Sequence, residues 1–488
     1  MSESMGEPAV NGRGKEGRKI MKEPSENALK TWVLALTSLA SLMVALDALV
    51  VTTALSTIRL ELGASIEALQ WTMNAYNLSF AVLLMTGAAL GDRLGRRRMF
   101  VAGLALFVAA SAACALAPSA GWLIAARTVQ GAGAALVMPL AMALLSAAFP
   151  PEERAKALGI FSGLTGLALI AGPVVGGVIA EGLAWQWIFW LNIPIGLIAI
   201  PLARARIPES FGPGTAIDIP GVALATGAAL ALAWGLMRAN AAGWISLEIV
   251  TAFAAGSLLT LAFLAWELRA PHPMVPMRLF HSRAFSSGIA ACFAFSASLY
   301  GVVFLLPQFL QTAQGHGPLG AGLRLLPWTA TLFVVAPIAG RLVNRMGERP
   351  LVVAGLVLQA IGMAWVALIA APDLAYGELV APLIVAGAGV SMAMPAAQNA
   401  VLSSVVAAEV GKASGTYNMF RFLGGVFGIA LVVTVFAAAG HVGSPRAFTA
   451  GFAPAIGVAA ALSLLGALAG LWQPARREVA LASVNAKA

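Results

Sequence analysis

Charge is what this chain has least of. Of its 488 residues only 10% are Asp, Glu, Lys or Arg, while 60% are hydrophobic and the mean hydropathy is +0.87. Soluble globular chains are nearer half apolar and a quarter charged, so most of these residues are expected to meet hydrocarbon. Residues that build metal and redox centres are also few. Two cysteines, Cys114 and Cys292, each sit inside an apolar run. That excludes a disulfide framework or a CxxC zinc site and makes them small core residues. Four histidines, His272, His281, His316 and His441, fall at unrelated loop positions, so no metal site is expected. No phosphate-cradling lysine loop occurs, which leaves ATP as a direct energy source without support. No His/Asp/Glu cluster or nucleophile dyad marks an integral membrane enzyme or lipid-handling scaffold, so neither an enzyme nor a bound cofactor is expected.

What the chain does have is long apolar runs. In lipid every backbone N–H and C=O must be satisfied within the protein, which leaves helices or a closed barrel. Barrel strands would alternate apolar and polar residues. Here the runs are continuous and about 20 residues long, the length a helix needs to cross ~30 Å. Fourteen spans are expected, near 31–54, 69–90, 99–117, 121–147, 157–180, 185–203, 218–237, 245–267, 284–311, 322–343, 350–371, 376–402, 412–438 and 449–472. Residues 1–30 are polar and of mixed charge and read as a disordered tail, too long for a signal-peptide n-region. A second tail covers 473–488.

The net charge of +9 would suit nucleic acid only if it were gathered on one soluble face. Instead the basic residues lie in short loops. With the N-terminus inside, cytoplasmic segments hold about 24 Lys/Arg and outer loops about 3. This is the asymmetry of the positive-inside rule, with both termini cytoplasmic and no nucleic-acid partner. The abundance of arginine over lysine, together with alanine, suggests a GC-rich bacterial genome and hence an inner membrane.

The chain also repeats itself. Gly91–Arg98, GDRLGRRR, has a worn counterpart in which Gly340, Leu342, Asn344, Arg345 and Gly347 recur about 252 residues later. GAGAALVMP at 131–139 returns as GAGVSMAMP at 387–395, and Glu153, Lys156, Ala157 and Gly159 as Glu409, Lys412, Ala413 and Gly415, an offset of 256. At roughly 31 residues per helix and loop this offset is eight helices. Two six-helix bundles, 31–203 and 284–472, are therefore separated by a 204–283 linker that carries an extra helix pair.

With these motifs in place, the sequence resembles the fourteen-helix drug:proton antiporter branch of the major facilitator superfamily. Leu90–Arg97 matches the superfamily's signature loop, with Ala88 replacing its leading glycine. Arg127-Thr128-Val129-Gln130-Gly131 matches the motif built on a membrane-embedded arginine. Gly172-Pro173-Val174-Val175-Gly176-Gly177 resembles the antiporter motif, with Ala168 at one upstream glycine. Leu46-Asp47 resembles the branch's helix-1 signature, and Trp185–Phe189 with Asn192-Ile193-Pro194 its helix-6 start. The resemblance implies an all-α major facilitator fold and export of hydrophobic or amphipathic compounds in exchange for protons. It implies a conformational latch at Asp92, Arg93, Gly95, Arg96 and Arg97. The expected partners are a small hydrophobic substrate, protons and the bilayer, with a monomer as the working state. A dedicated exporter of one metabolite or self-made antibiotic is the alternative.

Ionisable groups inside spans are costly, about 2.5–3.5 kcal/mol at a helix centre, and mark function. Asp47 lies about 7 residues, or ~10 Å, from the outer end of its expected span. Arg127 lies about 6 residues, or ~9 Å, from the outer start of helix 4. Equal depth and opposite charge predict that they pair, with Asp47 carrying the coupling proton; a structural ion pair is the other reading. Arg421, beside Asn418, faces either an anionic substrate group or backbone carbonyls. Gly172, Pro173, Gly176 and Gly177 permit a bend and close helix approach. Trp71, Asn74, Asn77, Gln308, Gln311, Gln398, Asn418 and Arg421 are candidates to touch substrate, though polar residues also bond helix to helix. Trp185, Trp187 and Trp190 are expected in an interfacial aromatic belt.

Overall fold

The computed structural model describes residues 26–212, 217–406 and 409–474. The tail expected at 1–30 lies outside the described residues as far as 25, and that at 473–488 from 475 onward. Every regular element among the described residues is helical. Among the described residues, fourteen helices are long and apolar enough to cross a membrane. The first six are α1 (Asn27–Leu62), α2 (Ile66–Leu94), α3 (Arg96–Ala115), α4 (Ala120–Ala148), α5 (Lys156–Gly182) and α6 (Trp187–Arg206). An added pair follows, α7 (Ile219–Ala242) and α8 (Leu247–Glu267). The last six are α9 (Arg283–Ala313), α10 (Pro318–Val343), α11 (Glu348–Ile369), α12 (Tyr376–Ser403), α13 (Val410–Ala439) and α14 (Pro445–Leu471).

Short polar residues start many of these helices by satisfying amides that have no partner in the first turn. Ser65, Ser119, Ser246 and Ser444 cap α2, α4, α8 and α14 at one end of the bundle, while Asp218 and Ser282 cap α7 and α9 at the other. The second end carries the arginine-rich connections, Arg96–Arg98 among them, and is called the basic end below; the opposite one is the far end.

Helix α1 departs from its expected limits of 31–54. It runs on to Leu62 and stops where Gly63 takes φ 58°. Hydropathy marks where hydrocarbon ends, whereas a helix ends where its hydrogen bonding is broken. The extension is pinned by Trp185, whose Nε1 donates to Glu61 at 2.8 Å. Trp185 is fully buried by this contact and does not belong to an interfacial belt, whereas Trp187 is exposed.

Packing follows the repeat seen in the sequence. In the first six helices α1 packs on α4, α5 and α6, α2 on α4, and α3 on α4 and α6. Adding eight to each number gives the pairs of the last six: α9 on α12, α13 and α14, α10 on α12, and α11 on α12 and α14. The repeated glycines sit in matching places. Gly95 between α2 and α3 has φ 109°, and Gly347 between α10 and α11 has φ 83°, a region open to glycine but strained for other residues. The two bundles meet along two seams, α2 with α13 and α5 with α10, again equivalent under the repeat. The added pair packs on itself and lays α7 along the α2–α13 seam. Helix α8 buries only Ile249, Gly256 and Glu267, as expected of a helix facing lipid.

Candidate functional site

The first bundle encloses a charged network at its centre. Arg127 of α4 donates from Nη1 to Asp47 Oδ2 of α1 at 2.5 Å, and both side chains are buried. Asp47 Oδ1 accepts from Gln130 Nε2 at 2.9 Å and from Asn192 Nδ2 of α6 at 2.8 Å. Gln130 also donates to Ser111 Oγ of α3 at 2.8 Å, and its Oε1 accepts from Arg127 at 2.7 Å. Arg127 Nε reaches the Thr72 carbonyl of α2 at 3.3 Å, and the guanidinium lies 4.2 Å from the centre of the Tyr76 ring. One ion pair thus ties together five of the six helices. The carboxylate is held by three side-chain donors, two from α4 and one from α6.

Sequence alone does not single out Gln130, Asn192 and Ser111 as members of this site. Their signal is nonetheless present, since each is polar within an apolar run; Gln130 follows Arg127 by three residues and so shares its helix face. At the corresponding place the second bundle has an uncharged network, with Gln359 Nε2 donating to Ser298 Oγ at 3.0 Å and Ser463 Oγ at 2.8 Å from Ser298 Oγ. The enclosed ion pair is therefore a feature of the first half.

The glycine-proline segment of α5 forms a seal. A Cβ on Gly172 would lie 2.7 Å from Leu49 Cβ, and one on Gly176 2.4 Å from the Val50 carbonyl, so α1 and α5 touch backbone to backbone. Across the halves, a Cβ on Gly177 would lie 2.6 Å from the Pro318 carbonyl, and one on Gly322 2.3 Å from that of Pro173. Glu181 accepts from the Leu319 amide at 2.9 Å. These contacts all fall in the far-end half of the seam. Nearer the basic end α5 and α10 part: a Cβ on Gly159, Gly163 or Gly340 would meet nothing within 4 Å. The other seam stays shut, with the Phe80 and Phe422 rings 4.2 Å apart. Where the cleft closes, a cavity of about 20 Å³, room for about one water, lies between Leu49, Thr52, Pro173, Leu299, Trp328 and Ser391.

The loop at Asp92–Arg98 docks on the segment after α6. Arg96 Nε donates to Asp92 Oδ1 at 2.7 Å, its amide to the Ser210 carbonyl at 2.8 Å, and the Arg97 amide to Glu209 Oε1 at 2.8 Å. Arg97 also reaches the Ile207 carbonyl at 3.1 Å, Gly95 packs on the Glu209 carboxylate, and Arg93 is exposed. Glu209, the acid that gathers this loop, carries no mark in the sequence that sets it apart. The side chain of Asn344, which stands in the repeat where Asp92 stands, lies outside the described residues.

The substrate candidates scatter. Trp71 faces Trp234 of α7 at 5.8 Å, and Asn74 donates to the Val426 carbonyl of α13 at 3.4 Å and to Met237 Sδ of α7 at 3.6 Å, so both serve the added helix. Asn77 is buried with its Nδ2 unpartnered. Gln308 bonds the Phe304 carbonyl of its own helix at 2.7 Å, and Gln311 crosses to the Thr53 carbonyl of α1 at 2.9 Å. Gln398 is half-buried on α12, and Asn418 bonds the Ser414 carbonyl at 2.9 Å. Arg421 sits beside Tyr300 and Tyr417, 5.6 Å from the Phe422 ring, and forms no ion pair among the described residues.

The model of the Major Facilitator Superfamily matches residues 37–429. The chain is 33% identical over 414 residues to the multidrug resistance protein Stp of Mycobacterium tuberculosis, covering 84% of this chain and 77% of that one. It is 35% identical over 460 residues to the cephamycin export protein CmcT of Amycolatopsis lactamdurans, covering 92% and 93%. It is 34% identical over 399 residues to the tetracenomycin C resistance and export protein of Streptomyces glaucescens, covering 80% and 73%. Among solved structures, a peptide transporter in complex with sulfate matches with a TM-score of 0.66 at 17% identity, over 93% of this chain and 96% of that one, which shows a common fold.

Proposed function

This chain belongs to the major facilitator superfamily, and on that premise we propose that it exports hydrophobic or amphipathic compounds in exchange for protons. The observation that carries the reading is the enclosed Asp47–Arg127 pair, a titratable group linked through donors to α3, α4 and α6. A proton on Asp47 removes the charge that holds Arg127 and loosens α1 from α4 and α6. That couples protonation to rearrangement of the bundle. Support for export comes from relatives whose names speak of multidrug resistance, cephamycin export and tetracenomycin export. The last two also favour the second reading, a dedicated exporter of one antibiotic.

The basic end is assigned to the cytoplasm by the positive-inside rule, which puts both termini there and the protein in a bacterial inner membrane. The cleft then opens inward, the side from which an exporter loads. The bundles near 31–203 and 284–472 act as the two moving units, and the loop from Asp92 to Arg97 as the latch between states. No bound cofactor is invoked; the proton gradient supplies the energy, and the working unit is a monomer.

The test is proton movement in liposomes holding purified protein, with a pH-sensitive dye inside and a panel of lipophilic compounds. Substrate addition is expected to collapse an imposed pH gradient. A compound that crosses without moving protons would show a uniporter instead.

A further inference from the structure

The central cleft is electrically one-sided. In the first bundle the deep arginine is neutralised by Asp47, but in the second Arg421 has no carboxylate within ion-pair distance among the described residues. Its Nε is buried without a partner. A guanidinium presents five donors and keeps its charge, so an arginine left incompletely satisfied inside a membrane protein is a site in want of an acceptor. Its surroundings hold it in place without neutralising it: the Tyr300 hydroxyl beside it, Tyr417 one turn away, and the Phe422 ring at 5.6 Å.

The position is reachable. Arg421 lies eleven residues into α13 from its basic end, about 16 Å at 1.5 Å per residue. It retains partial exposure together with Ser414 and Asn418, while Ala413, Gly415, Thr416, Tyr417 and Met419 are buried. Residues 414, 418 and 421 fall on one helix face. This polar track leads from the basic end, where α5 and α10 stand apart, to the arginine. The Tyr300 ring lies 6.2 Å from that of Phe422, which meets Phe80 of α2 at 4.2 Å, so this stretch of α13 lies at the interior between the bundles.

We infer that Arg421 is the anion-recognition point of the central cleft, and that the compounds moved by this protein are amphipaths carrying one negative group such as a carboxylate. The inference rests on the exporter reading for its direction of transport but not for its binding chemistry. Apolar surfaces such as Leu49, Leu299 and Trp328 at the head of the cleft receive the rest of the molecule.

The test uses three probes of one skeleton: dansylglycine, its neutral methyl ester, and a dansyl compound ending in a trimethylammonium group. Binding to the purified full-length protein is read by energy transfer from tryptophan. Wild type is expected to bind dansylglycine severalfold more tightly than the other two. Arg421→Gln should weaken dansylglycine about tenfold or more while leaving the ester within about twofold, and Arg421→Lys should keep part of the preference. Tyr300→Phe, which retains the arginine, should weaken the anion severalfold and covers the case in which Arg421→Gln does not fold. Equal or tighter binding of the cation by wild type overturns the proposal, as does an Arg421→Gln protein that loses ester and anion alike. Anion-selective binding with no transport in liposomes would overturn the exporter reading and leave the anion site standing. Transport confined to cations would do the reverse.

Discussion

Arg127 touches three other helices through one planar group: Asp47 on α1, the Thr72 carbonyl and Tyr76 ring on α2, and the Phe189 ring of α6 at 5.8 Å. Because both members of the pair are buried, removing one leaves an uncompensated charge. Arg127→Met is therefore expected to cost about 3–5 kcal/mol, read as a clear fall in the thermal midpoint in detergent, and Asp47→Leu in the same protein should restore most of it. An Arg127→Met protein as stable as wild type would contradict the burial of the pair. The pair itself is legible in the sequence, since two opposite charges at equal depth in apolar runs offset each other's cost of leaving water. Their neutral partners are not. A lone Asn192 or Ser111 in an apolar run is common, and only the rotation of each helix decides which way it points. Trp71 and Asn74 are legible as a polar face but not as a face for α7, because nothing in the sequence says where an inserted helix lies.

At the scale of the helix, α5 and α10 approach to backbone distance at the far end and separate toward the basic end. Gly177→Leu would drive a side chain into the Pro318 and Leu319 backbone, which cannot give way as a flexible side chain can. This substitution should pry open the far end, so that a Thr53→Cys thiol becomes reactive to a membrane-impermeant maleimide and export falls about tenfold or more. Gly163→Ala, in open space, should change neither readout. Indistinguishable behaviour of the two variants would show that the α5–α10 contact is no seal. The presence of α5's glycines is legible in the sequence, but which helix each one meets is not. Element limits are read least well where polar helix continues past the hydrocarbon, as α1 does to Leu62. Helix α7 is tied to α13 by the Thr434 hydroxyl donating to the Leu236 carbonyl at 2.8 Å, and to α2 by the Trp71–Trp234 contact. It thus spans the seam between the halves.

On the scale of the whole molecule, an eight-helix offset between two repeated motifs suffices to place the halves and the inserted pair, because equivalent glycines impose equivalent close contacts in both. The two halves differ in charge: one holds the buried Asp47–Arg127 pair, the other an arginine with no carboxylate within ion-pair distance among the described residues. If Asp47 carries the coupling proton, its neutral mimic should separate two activities that a structural ion pair would lose or keep together. The measurement is Asp47→Asn in liposomes, comparing pH-driven export with exchange of labelled for unlabelled substrate at equal pH. Exchange is expected to persist while pH-driven transport is lost. Unchanged pH-driven transport, or equal loss of both from a protein still folded in the membrane, would contradict the assignment of the coupling proton to Asp47.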